Sequence, residues 1–127
     1  MSQGRGSASM NMATVMISLL CLLVLAQSAN AATYTVGGPG GWTFNTDTWS
    51  NGKKFRAGDV LIFNYDSTTH NVVAVDKSGH NSCKATGGAK VFSSGKDQIR
   101  LARGQNFFIC SVPGHCQSGM KVSINAV

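Results

Sequence analysis

Glutamate is absent from this sequence. All five acids are aspartate, set against eleven lysines and arginines, for a formal net charge of +6 at pH 7. The positive charge is spread out, with no block of like charges and no interleaving of basic and aromatic residues, which argues against nucleic-acid binding. No N-x-[ST] acceptor occurs, so N-glycosylation is not expected. The end of the chain, Lys121 to Val127, carries no hydrophobic tail, so a lipid anchor of the GPI kind is not expected. No close C-x₂₋₄-C pair is present, and such pairs mark most structural zinc sites. Repeats, linkers and low-complexity segments are also missing after residue 31. Basic charge of this kind suits acidic extracellular polymers or an acidic protein partner, or serves solubility alone.

What the N-terminus does have is a pattern. Met1 to Asn11 is polar with one basic residue, Arg5, and Met12 to Ala26 is almost wholly apolar. Small residues follow at Ala29 and Ala31. This order predicts a secretory signal peptide over residues 1–31, cleaved after Ala31, and a single domain over residues 32–127. The apolar stretch is shorter than the roughly 20 residues that span a bilayer, so a retained membrane anchor is the weaker alternative. A domain of this size buries only about 60–65% of its unfolded surface and gains from a staple or a metal.

Of four cysteines, Cys21 would leave with the leader. Cys83, Cys110 and Cys116 remain, and three thiols in an oxidising compartment cannot all pair. The rest of the domain reads as all-β. Apolar–polar alternation marks Tyr34–Val36, Val60–Tyr65 and Asn71–Asp76, and strand-like runs recur at Gln98–Leu101, Gln105–Cys110 and Met120–Ile124. Gly-rich and polar turns separate them, as in a sandwich or barrel. A short helical turn is expected near Gly79–Ala85. The aromatic residues, Phe44 and Trp42 among them, are expected to serve core and rim.

Cys110, His115 and Met120 stand five residues apart in one loop that holds Pro113-Gly114 and Ser118-Gly119. Such a loop can aim a thiolate, an imidazole and a thioether at one point. The second imidazole is expected from His70, at a strand start, rather than from His80, whose Ser- and Asn-rich surroundings predict an exposed side chain. Two imidazoles and a thiolate with a weak axial Met form the ligand set of a blue copper centre. Four ligands at one copper ion leave no position for substrate, which favours Cu(II)/Cu(I) electron transfer over an enzyme. Zinc, the rival metal, would leave Met120 unexplained. With Cys110 taken by the metal, Cys83 and Cys116 are left to form a disulfide.

These residues resemble the phytocyanins, the plant branch of the cupredoxins, and within them the plantacyanins, also called basic blue proteins or chemocyanins. The resemblance runs through Tyr34-Thr35-Val36-Gly37-Gly38, Gly41-Trp42, Phe55–Asp59, His70-Asn71-Val72 and Phe108–Lys121. It implies a cupredoxin-like Greek-key β-sandwich of seven to eight strands, with His70, Cys110, His115 and Met120 as copper ligands and Cys83–Cys116 as the disulfide. It also implies that Asn71 holds the ligand loops and hydrogen-bonds near the thiolate, and that His115 is the electron port. Axial Met120 sets the chain apart from stellacyanin-like relatives, which carry Gln there. The expected protein is a secreted monomer of the extracellular matrix that meets an unidentified redox partner near His115. A link to pollen-tube guidance and cell-wall signalling comes with the resemblance. The alternative is a signalling or adhesion protein that binds acidic polysaccharide or a receptor and uses copper to stabilise the fold. A copper oxidase is disfavoured because no second His-rich cluster exists.

Overall fold

The computed structural model describes residues 31–127, together with Met12, Val15 and Met16. Most of the expected leader, Cys21 included, lies outside the described residues. Seven strands form two sheets. The first has the order β1 (Thr33–Thr35), β2 (Val60–Asn64), β5 (Lys96–Arg100), with β1 parallel to β2 and β5 antiparallel to it. The second has the order β4 (Lys90–Phe92), β3 (Val72–Val75), β6 (Gly104–Ile109), β7 (Lys121–Ala126), antiparallel throughout. The chain passes between the sheets from β2 to β3, from β4 to β5 and from β5 to β6, as a Greek-key sandwich requires.

Alternation in the sequence becomes alternation of faces. In β2, Leu61 and Phe63 are fully buried while their neighbours are not, and in β7 Val122, Ile124 and Ala126 point inward between outward Ser123 and Asn125. The two inner faces meet through aromatic edges: Phe63 packs against Phe108 at 5.3 Å and against Trp42 at 5.0 Å. Before β2, Ala57–Gly58 forms the expected tight turn, and Asp59 is buried beneath it. A parallel bridge between Phe55 and Ala126 ties the long loop after β1 to the second sheet.

Three features differ from the sequence reading. β4 was not foreseen: it is three residues long, at a sheet edge, with Val91 more than half exposed. The helix, α1, spans Lys77–Ser82 rather than Gly79–Ala85, because the Asp76 carboxylate caps it by accepting from the Gly79 N–H. It stops at Cys83, which takes a left-handed conformation at φ 57°. His80 is half-buried, not exposed, because α1 turns its ring onto Phe107 at 5.3 Å.

Candidate metal centre

β6 ends at Ile109, and Cys110 follows it into the core with 1% of its surface exposed. The chain then loops out and returns at Met120, fully buried just before β7. Backbone bonds close this loop: the Cys110 N–H donates to the Met120 carbonyl at 3.0 Å, and the Met120 N–H donates to the His115 carbonyl at 3.1 Å. Cys116–Ser118 makes a 3-10 turn that ends on Gly119, in a left-handed conformation. Three residues of the loop are thereby held at fixed separations from one another. His70 arrives from the other side, after the Asp66–Thr69 turn and two residues before β3. Its N–H donates to the Asp66 carbonyl at 3.0 Å.

The donor atoms of His70, Cys110 and His115 all lie within 4.8 Å of one another. The two Nδ1 atoms are 3.1 Å apart, and the Cys110 Sγ is 3.6 Å from the His115 Nδ1. Nitrogen and thiolate ligands bind ions such as zinc at roughly 2.0–2.3 Å, so around one ion they stand roughly 3.3–3.7 Å apart. The cluster is compact enough to hold a single metal ion. Its donor set of two imidazoles and a thiolate is the one that suits copper. Met120 shares a buried cluster with Cys110. His80 stands apart: its ring faces Phe107, and its carbonyl accepts from the Lys121 ammonium.

Cys83 and Cys116 form a disulfide across 33 residues of sequence. Cys110 is the free cysteine among the described residues. The bridge joins the end of α1 to the residue after His115, which fixes one flank of the loop. Asn71 fixes another. Its side-chain amide donates to the Ser111 Oγ at 2.8 Å, and its Oδ1 accepts from the Ser111 N–H at 2.9 Å. The residue after His70 and the residue after Cys110 are thus joined by two bonds. Among the described residues, the hydrogen bonds of the Asn71 side chain go to Ser111 and not to sulfur.

Sequence reasoning missed the segment Trp42–Asp47, which touches all the loops. The Trp42 Nε1–H donates to the Asn71 carbonyl at 2.9 Å. Phe44 lays its ring edge-on to both imidazoles, 5.7 Å from His70 and 4.9 Å from His115, and is itself 41% exposed. Thr46 and Asp47 donate backbone N–H bonds to the Gly119 carbonyl, and the buried Thr46 hydroxyl lies 3.0 Å from the Thr43 carbonyl and 3.3 Å from that of Gly119. No motif announces these contacts. The aromatic pair Trp42 and Phe44 beside a glycine-rich turn was the available signal, and it reads equally well as core.

Burial, with the charge of the facing His115 second, pulls the His70 pKa below the ordinary histidine value, while Asp66 pulls the other way. Burial likewise lowers His80, with Lys121 adding to the effect against a bond from Asn81. Neutral imidazoles are the form that binds a metal, so burial of His70 favours its ligating state.

A plastocyanin-like domain profile matches residues 42–120. The basic blue protein of Arabidopsis thaliana is 53% identical over 129 residues, spanning all of both chains. That of Cucumis sativus is 59% identical over 96 residues, covering 76% of this chain and all of the relative. Among solved structures, cucumber basic protein, a blue copper protein, superposes with a TM-score of 0.74 at 59% identity, over 75% of this chain and 99% of that one.

Proposed function

The chain belongs to the plastocyanin-like family, on its basic blue protein branch, and from that premise we propose that it is a secreted one-electron carrier of the extracellular matrix. One observation carries the reading: His70, Cys110 and His115 turn their donor atoms toward a common point, within 4.8 Å of one another. These three residues would hold the metal, with the Met120 thioether as a fourth and weaker donor. Copper held there supplies a Cu(II)/Cu(I) couple.

The chain's own part is to bind, orient and shield. Buried Cys110 presents its sulfur from the end of β6, where bulk water does not reach it. The disulfide and the Asn71–Ser111 pair hold the two sides of the loop, so little has to move when the charge at the site changes. Met120, buried in the same cluster as Cys110, would close the inner face. A site so filled leaves no place for a substrate, which supports a carrier and not an enzyme. His115 is half-buried and is the proposed electron port, where an unidentified partner would dock briefly. We place cleavage of the leader after Ala31 and take the mature protein as a monomer.

The deciding experiment is an absorption spectrum of the secreted protein with Cu(II). An intense thiolate-to-copper band is expected, and it should vanish in Cys110→Ser. A wild-type protein that stays colourless overturns the proposal. The second reading is a cell-wall signalling or adhesion role, in reproductive tissue such as that guiding pollen tubes, and it rests on the basic surface. Met120→Gln separates the two, because it should shift the midpoint potential and leave a purely adhesive activity unchanged.

A further inference from the structure

Asp59 is an acid buried for no reason that the metal centre supplies. It is 3% exposed, at the turn that feeds β2. The hydrogen bonds that described residues make to its two oxygens come from backbone amides: Arg56 N–H to Oδ2 and Ala32 N–H to Oδ1, each at 2.9 Å. Amides satisfy lone pairs but bring no net charge, and a buried carboxylate without a countercharge is costly. One of these two donors is the backbone nitrogen of Ala32. The sequence independently marks that residue as the first after the leader, with small side chains at Ala29 and Ala31 immediately before it.

We infer that Asp59 is the receptor for the new chain terminus. Cleavage between Ala31 and Ala32 converts an amide hydrogen bond into a partly buried ammonium–carboxylate pair that locks β1 onto the sandwich. The inference rests on the secretory reading above and deepens it. A leader peptidase adds one water across the Ala31–Ala32 bond. The carboxylate leaves with Ala31, and the amine on Ala32 takes up a proton. The nitrogen is already in place, so no rearrangement is needed. A charge-assisted bond replaces a neutral one at the same site.

The register makes the receptor specific to one position. The Ala32 carbonyl accepts from the Val60 N–H at 2.9 Å, and Thr33 pairs with Val60 in the parallel β1–β2 ladder. Ala32 is therefore anchored on both of its backbone sides, next to the acid at the head of β2. A terminus one residue earlier or later would carry its charge about 3.8 Å along the chain. Within the fold, then, Asp59 selects a product that starts at Ala32. The lock lies outside the metal cluster and acts on fold stability rather than on the ligands.

The test uses the full chain secreted from a eukaryotic host, as wild type, as Asp59→Asn, as a variant with Gly-Ser inserted after Ala31, and as the double variant. The insertion leaves the cleavage signal intact and keeps the Ala32 N–H, but moves the charge two residues away. Mass spectrometry of the wild-type product should give Ala32 as the first residue. The insertion should lower Tm by roughly 4–8 °C in the Asp59 background and have no further effect in Asp59→Asn. Another first residue overturns the assignment of the terminus. An unchanged Tm on insertion overturns the lock, and that measurement decides even if Asp59→Asn is not secreted. A blue colour in every variant separates these outcomes from any failure of the copper reading.

Discussion

The Nδ1 atoms of His70 and His115 face each other at 3.1 Å. The His70 pKa lies below the ordinary histidine value. Burial is the main cause and the charge of His115 the second. In the metal-free protein the unfolded chain takes up this proton at about pH 6.5, before the folded one does. Stability is therefore complete above that pH and is lost as pH falls toward the lower folded value. The Tm of the metal-free protein should be lower at pH 5 than at pH 7.5. His70→Asn should flatten the slope in part, with His80, depressed in the same direction, accounting for some of the remainder. A Tm independent of pH across this window would contradict the geometry.

Phe44 touches both imidazoles by its ring edges while much of its own surface faces solvent. A ring so placed is expected to shield the two imidazoles from water more than to hold the core. Phe44→Ala should cost little stability, below about 1 kcal/mol. It should speed loss of copper to a chelator by roughly 10-fold, as disturbing the surroundings of metal ligands does. The midpoint potential should fall, because water at the site stabilises the more highly charged ion. Chelator kinetics and voltammetry on the same sample check both effects.

The contrast between Phe44 and Cys110 shows what a sequence exposes. Cys110, His115 and Met120 are legible because one loop carries all three at even spacing, so proximity in sequence stands for proximity in space. Trp42, Phe44 and Thr46 contact the same loops across a sequence distance that no local pattern records. Strands with one buried face declared themselves by alternation, as β2 does. Edge strand β4 did not, since three residues with Val91 exposed carry no period. His80 misled because its neighbours are polar, while the face it takes is set by the helix and by Phe107.

The turn before Trp42 imposes a sharp steric requirement. Gly37 has φ 80°, and a Cβ there would meet the Gly41 carbonyl oxygen at 2.0 Å. Gly40, three residues on, has open space where a methyl group would sit and no positive φ. Gly37→Ala should therefore destabilise by roughly 2–4 kcal/mol, combining left-handed backbone strain with overpacking. Gly40→Ala should stay within about 1 kcal/mol of wild type. Urea unfolding of the two variants side by side tests the contrast. Equal midpoints would mean that the turn is not held as described.

Next to β2, the Tyr65 hydroxyl donates to buried Asp97 and also reaches the Phe92 carbonyl at 3.2 Å. Burial first, and the Asp97 bond second, push the Tyr65 pKa up to about 12. An unfolded tyrosine ionises near pH 10, so above that value the unfolded chain loses a proton that the folded one keeps. The stability this provides is complete below about pH 10 and is lost as pH rises through about 12. Thermal unfolding should therefore move to lower temperature between pH 9.5 and pH 12. Tyr65→Phe should remove that part of the slope and also lower Tm at neutral pH, because Asp97 then loses its phenol donor. An alkaline slope that survives the substitution unchanged would assign the transition to other groups and leave the Tyr65–Asp97 pair without this role.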